Sequence, residues 1–192
     1  MGAEYERKFR ATPAALQQLL ADYPGCWQTI AMETTYFDTP SASLSARRFM
    51  LRIRKENGIP VCTLKTPGEG NLRGEWETEC GQLSGAVSEL CKLGAPTELA
   101  VLCQEGLVPV CGAAFTRKAL LLTPAGCTAE LALDEGYLFG SRQLPLCEVE
   151  LELKAGNRDA LDAFADALAG KYGLCPEDRS KFARALALRK EN

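Results

Sequence analysis

The run Glu148-Val149-Glu150-Leu151-Glu152-Leu153-Lys154 decides the fold. Read as a strand, it puts Glu148, Glu150, Glu152 and Lys154 on one face and Val149, Leu151 and Leu153 on the other, because strand side chains alternate with period two. Three glutamates on one face repel one another unless a cation or basic partners neutralise them. The same alternation opens the chain in Glu4-Tyr5-Glu6-Arg7-Lys8. There Glu4, Glu6 and Lys8 share a face, and Tyr5, Arg7 and Phe9 take the other. Carboxylate oxygens are hard ligands for Mg²⁺ or Mn²⁺, and a lysine beside them can hold an anion.

Other stretches repeat the division. Arg52 and Arg54 lie opposite Leu51 and Ile53. Lys65 is opposite in parity to Cys62 and Leu64. Arg73, Glu75, Glu77 and Glu79 share a face, with Trp76 on the other. Arg117 is an isolated charge in the apolar run 115–121. Glu130 and Asp134 oppose Leu131 and Leu133. A half-exposed antiparallel sheet also alternates in this way. Solvated faces, however, usually carry Thr, Ser, Gln and Lys, whereas these runs are built from Glu and Arg. The expectation is a sheet closed with its charged face inward, as a polar tunnel whose apolar outer face is covered by helices. Such a lumen is stable only if its charges pair with one another or with bound ions.

The remaining punctuation fits one α+β domain over residues 1–192. Thr12-Pro13 reads as an N-cap followed by proline at the first helical position, opening a helix over 14–23 that Pro24-Gly25 ends. Strands are expected over 32–38, 49–55, 60–66, 74–80, 114–122, 127–134 and 146–154. Asn57-Gly58 is a hairpin signal between two of them. Residues 40–45 and 67–72 read as loops, and 136–145 as a connection. Short helices are expected over 84–92 and 97–104. Asn157 caps an amphipathic helix over 158–172, and a last helix runs over about 176–189. The predicted architecture is an eight-stranded antiparallel closed β-barrel with surrounding helices.

Composition narrows the chemistry. The 192 residues carry a net charge of −3 despite 22 Lys and Arg, which argues against nucleic-acid or membrane binding driven by overall charge. Nine cysteines, an odd number with no paired CxxC spacing, point to reduced thiols in a cytoplasm. Most sit among apolar residues and read as core filler. No apolar run reaches membrane-spanning length, and the amino terminus is polar. There is no histidine, which removes Ser-His-Asp and Cys-His catalysis and most transition-metal sites. Chemistry must run on carboxylates, Lys, Arg and a hard metal. Lys8, Arg52, Arg54, Lys65 and Arg117 would bind several phosphates, arginine in bidentate fashion. Glu4, Glu6, Glu150 and Glu152 would bind one or two divalent ions. Metals bridging phosphate oxygens, with basic clamps, are the recurring apparatus of phosphoryl transfer.

These residues resemble the CYTH family, the triphosphate tunnel metalloenzymes. The matching pieces run in order: Glu4-Tyr5-Glu6-Arg7-Lys8, Tyr36-Phe37-Asp38-Thr39, Leu51-Arg52-Ile53-Arg54, Thr63-Leu64-Lys65, Arg73-Gly74-Glu75-Trp76-Glu77, Ala132-Leu133-Asp134-Glu135-Gly136, Glu148-Val149-Glu150-Leu151-Glu152 and Ser180-Lys181. The resemblance implies an eight-stranded tunnel that binds triphosphates with Mg²⁺ or Mn²⁺. It implies metal ligands at Glu4 and Glu6 and at Glu150 and Glu152, with Glu148 and Asp134 also in the tunnel. Lys8, Arg52, Arg54, Lys65, Arg73, Arg117 and Lys181 would hold phosphates, Lys181 reaching across one mouth from the last helix. Lys8 and Lys65 join Glu75 or Glu77, one of which would orient the attacking water, as the candidate catalytic residues. The activity implied is hydrolysis of a small triphosphate, inorganic tripolyphosphate first, by a monomer or homodimer. Class IV adenylate cyclase, thiamine triphosphatase and a non-catalytic polyphosphate- or nucleotide-binding module are the alternatives.

Overall fold

The computed structural model describes residues 5–67, 73–80 and 82–189. Glu4 and the Gly-rich stretch 68–72 therefore lie outside the described residues, and Arg73 is described only in its backbone. The elements in chain order are β1 (Glu6–Arg10), α1 (Pro13–Asp22), β2 (Gln28–Asp38), α2 (Ser43–Ala46), β3 (Met50–Glu56), β4 (Ile59–Pro67) and β5 (Arg73–Glu79). There follow α3 (Leu83–Lys92), α4 (Glu98–Leu102) with a 3-10 turn at Cys103–Glu105, β6 (Val108–Leu122), β7 (Cys127–Phe139), β8 (Gln143–Gly156), α5 (Arg158–Tyr172), β9 (Cys175–Pro176) and α6 (Lys181–Leu186). No helix among the described residues is long and apolar enough to cross a membrane.

Local chemistry explains several boundaries. Thr12 Oγ1 accepts from the Ala15 N–H at 3.2 Å, with Pro13 in the first turn of α1. Asn157 Oδ1 accepts from the Asp159 N–H at 2.7 Å, and Gly173, at φ 64°, ends α5 in the left-handed region. Asn57 and Gly58 both have positive φ, as the tight turn between β3 and β4 requires.

The strands form one antiparallel sheet in the order β5-β4-β3-β2-β6-β7-β8-β1-β9. The expected closed eight-stranded barrel is therefore corrected: among the described residues the sheet is open and has nine strands, with β5 and β9 at its edges. The returning carboxy-terminal segment accounts for one edge. Cys175 and Pro176 pair with Arg10 and Phe9, and the Glu177 N–H donates to the Lys8 carbonyl at 3.0 Å. These contacts take the backbone groups of β1 that a closing strand would need, and Pro176 has no N–H to extend the ladder.

Several further boundaries differ from the sequence expectation: β2 starts at Gln28 and β6 at Val108, earlier than expected, and α2 begins within the expected loop over 40–45. The expected connection over 136–145 is mostly strand, with only residues 140–142 between β7 and β8. Gly136 faces Phe115, and a Cβ there would lie 2.2 Å from the Ala114 carbonyl oxygen. The glycine permits close approach of β6 and β7 instead of breaking the strand. The last helix is also shorter than expected, because Cys175 and Pro176 form β9.

Strand alternation sends apolar side chains to one face of the sheet. Phe9, Leu131, Leu133, Val149 and Leu151 pack there with Leu16, Leu19, Leu161 and Leu168 of α1 and α5. Leu51, Cys62 and Leu64 pack with Leu90 and Leu99 of α3 and α4. α6 lies on the opposite, charged face. Its residues Phe182 and Ala185 join Tyr36, Ala113, Leu138 and Leu146 in a third cluster.

Candidate active site

Register brings the expected acidic residues into rows. Arg10, Glu148, Asp134 and Arg117 lie side by side across β1, β8, β7 and β6. Lys8 and Glu150 form the next row, and Glu6, Glu152 and Glu130 the one after. Asp134 and Glu148 are fully buried, and the Glu150 side chain is 13% exposed. One carboxylate oxygen from each of these three residues lies within 4.8 Å of the others, a group that could hold a metal ion. Hard oxygen donors suit Mg²⁺ or Mn²⁺. Glu148 Oε2, buried and without a hydrogen bond among the described residues, fits such a role.

Three cations meet this trio. Arg117 donates from Nε to Asp134 Oδ1 at 2.8 Å and from Nη2 to Asp134 Oδ2 at 2.7 Å, and also reaches Glu150 Oε2. Lys181 Nζ lies 2.9 Å from Asp134 Oδ2, 2.7 Å from Glu148 Oε2 and 2.7 Å from Glu150 Oε1. Arg184 Nη1 donates to Glu148 Oε1 at 2.6 Å. Burial opposes the ionisation of Glu150, yet the positive charges of Lys181 and Arg117 hold its carboxyl down at about 2. Burial likewise opposes the charge of Lys181, but Glu150, Asp134 and Glu148 together raise its pKa.

The expected metal ligands thus divide. Asp134, Glu148 and Glu150 converge, whereas Glu6 and Glu152 sit in the outer row. There Glu6 is 3.7 Å from Lys8, and Glu152 is 2.6 Å from Lys154. Arg117 and Lys181, expected on phosphate, are ion-paired to carboxylates here.

The basic residues gather on the other half of the face. In register, Arg52 lies between Tyr36 and Thr63, with Glu77 beyond, and Arg54 lies between Thr34 and Val61. The Nε atoms of both arginines are buried and make no hydrogen bond among the described residues. Arg54 pairs with Glu56 at 2.5 Å, yet burial and then the like charge of Arg52 pull its guanidinium below its ordinary pKa. Lys65 is 3.1 Å from Glu75, and Thr63 Oγ1 donates to Glu77 Oε1 at 2.8 Å. Tyr36 links the halves. Its ring is 4.9 Å from that of Phe182 on α6, and burial raises its hydroxyl pKa against the opposing charges of Arg52 and Lys181.

Arg184 and Glu177 were not singled out in the sequence. Arg184 is 6% exposed and lies between Glu148 and Glu177, its Nε 3.8 Å from Glu177 Oε2. Glu177 is itself buried beneath Arg179, which donates to both its oxygens at 3.0 Å. The available signal was spacing: Lys181 and Arg184 stand three apart on one helix and so share a face. Asp38, in one of the motif pieces, has a structural task. Its carboxylate accepts the N–H groups of Thr39, Leu44 and Ser45 and fixes the turn into α2.

Known proteins resemble this chain. The chain is 27% identical over 164 residues to an inorganic triphosphatase of Haemophilus influenzae, covering 84% of this chain and 47% of that protein. It is 32% identical over 136 residues to a thiamine-triphosphatase of Macaca fascicularis, covering 66% of this chain and 57% of that protein. The chain thus spans about half the length of the curated relatives it matches. Among solved structures, an adenylyl cyclase candidate from Hippeastrum with a dominant triphosphatase activity superposes with a TM-score of 0.66 at 21% identity, over 98% of this chain and 97% of that one. An adenylate cyclase candidate from Bacillus halodurans gives 0.63 at 16% identity, over 95% and 98%. These two likenesses show a common fold. The family model of the CYTH domain matches residues 2–186, so the chain belongs to the CYTH domain family.

Proposed function

We propose that the chain is a metal-dependent triphosphatase that hydrolyses a terminal phosphoric anhydride, with inorganic tripolyphosphate as its first substrate. The observation that carries this reading is the pair of buried Nε donors of Arg52 and Arg54, unmet beside a carboxylate trio on the same face of the sheet. Buried guanidinium donors without partners are costly unless a ligand satisfies them, and phosphate oxygens match their geometry. The triphosphatase names of the two curated relatives support the choice of substrate class.

In this reading Asp134, Glu148 and Glu150 would hold Mg²⁺ or Mn²⁺, and Glu6 and Glu152 would take a second position. The bound ion would supply Lewis-acid charge to the phosphate oxygens. Arg52, Arg54 and Lys65 would grip the polyphosphate from the basic half, and Lys8, Arg117 and Lys181 from the acidic half. Glu77, held by Thr63, or Glu75, beside Lys65, orients the water that attacks the terminal phosphorus.

The test is a substrate panel with product identification. Purified protein with Mg²⁺ or Mn²⁺ is expected to release orthophosphate from tripolyphosphate faster than from thiamine triphosphate or ATP. Cyclic AMP and pyrophosphate from ATP would make it a cyclase instead. Tight tripolyphosphate binding with no phosphate release under any divalent ion would leave a binding module.

A further inference from the structure

Asp134, Glu148 and Glu150 are already matched by Arg117, Lys181 and Arg184, three negative charges against three positive. A divalent ion entering this neutral group would leave two uncompensated positive charges in a buried site, unless a resident cation left. Uncompensated charge away from water is heavily penalised.

The three cations are not equally free to leave. Arg117 grips Asp134 as a two-pronged fork from a central strand. Arg184 is wedged between two buried carboxylates, Glu148 and Glu177. Lys181 reaches the trio on one flexible stem from the first position of α6, and its ammonium also lies over the face of Phe115, 5.2 Å away. It donates a hydrogen bond to Glu150 Oε1, but Glu148 Oε2 accepts none although the ammonium is 2.7 Å away. That contact is charge without a directed bond. A compact, strongly hydrated ammonium on a four-carbon stem is the easiest of the three to return to water or to pass to a phosphate.

We infer that Lys181 is the exchangeable counter-ion of the carboxylate trio, its ammonium standing where a divalent ion binds and moving onto the substrate's phosphates as the ion enters. The inference rests on the reading of this trio as the metal site. Metal and polyphosphate then bind cooperatively. The ion alone must displace Lys181 into water, whereas a polyphosphate offers that ammonium a new partner. By linkage each ligand strengthens the other.

Direct Mn²⁺ binding, read from the free-ion electron paramagnetic resonance signal without substrate, tests this on wild type, Lys181→Met and Glu150→Gln. Lys181→Met is expected to bind Mn²⁺ at least about tenfold more tightly than wild type, within the ordinary range of coupling between two sites. Glu150→Gln is expected to bind it more weakly. Equal or weaker binding by Lys181→Met, with binding still lost in Glu150→Gln, would overturn the exchange and leave the metal site standing. Absence of Mn²⁺ binding in folded wild type and folded Lys181→Met alike would overturn the metal site itself. Should Lys181→Met fail to fold, chemical labelling of the wild type answers in its place. Reductive methylation mapped by mass spectrometry should modify Lys181 slowly without metal and faster at saturating Mg²⁺. Unchanged protection of Lys181 at saturating Mg²⁺ would overturn the exchange.

Discussion

The two halves of the charged face handle buried charge in opposite ways. On β6, β7 and β8 the carboxylates of Asp134, Glu148 and Glu150 are each met by Arg117, Lys181 or Arg184. On β3 the Nε atoms of Arg52 and Arg54 are buried and make no hydrogen bond among the described residues, although the Arg54 guanidinium also pairs with Glu56. In the acidic half every carboxylate has a cation beside it, although Glu148 Oε2 accepts no hydrogen bond among the described residues. In the proposed reading an anion from outside completes the basic half. A sheet face that served stability alone would not satisfy one half and leave donors unmet in the other, so the asymmetry points to a ligand.

The largest effect should come from removing the unmet donors. Arg52→Met with Arg54→Met is expected to lower kcat/KM on tripolyphosphate by about a thousandfold, since each charge-assisted contact is worth about 1.5–3 kcal/mol. The Tm should hold or rise, because two buried unpaired donors disappear. A matching collapse of Tm would mean that these arginines are structural, and the contrast between the halves would fail.

The acidic half should respond the other way. Arg184→Met leaves Glu148 buried beside a lost partner and is expected to cost about 3–5 kcal/mol, on the order of 10 °C in Tm for a chain of this size. Adding Glu148→Leu should restore most of that stability, as removal of both members of a buried pair often does. A loss below about 1 kcal/mol in urea denaturation would show that the pair resembles an exposed one.

Acid should loosen the same half by a smaller margin. The Glu150 carboxyl is held at about 2 against an ordinary 4.5. A depressed folded-state pKa means that the unfolded chain takes up the proton first. The stabilisation is therefore complete above about pH 4.5 and is lost as pH falls towards 2. Across this range the wild-type Tm should fall further than that of Glu150→Gln. Parallel curves would show that Glu150 has no special stake in the ion-pair network.

The sequence displayed this face clearly because period two is a local signal. Parity alone grouped Glu148, Glu150 and Glu152, set Arg52 with Arg54, and sent Tyr5 and Phe9 towards the helices. In the structure Phe9 is buried with α1 and α5, and the Tyr5 hydroxyl donates to Asp162 of α5 at 2.8 Å. Closure was not legible in the same way. Whether β1 meets β5 or β9 depends on which distant segment claims its edge, and alternation carries no information about that. Gly136 misled for a related reason. A glycine reads as a break in a chain considered alone, but here it admits a neighbouring strand. The cations of the acidic half were partly hidden, since Arg184 looks like any charge on a short amphipathic helix until Glu148 and Glu177 are placed around it.

The most direct measurement is calorimetric titration of tripolyphosphate into wild type and the Arg52→Met, Arg54→Met double variant, with divalent ions chelated. Wild type is expected to bind one tripolyphosphate per chain, and the double variant to lose that binding while keeping its fold. No binding by folded wild type, or equal binding by both proteins, would contradict the assignment of the basic half as the anion site.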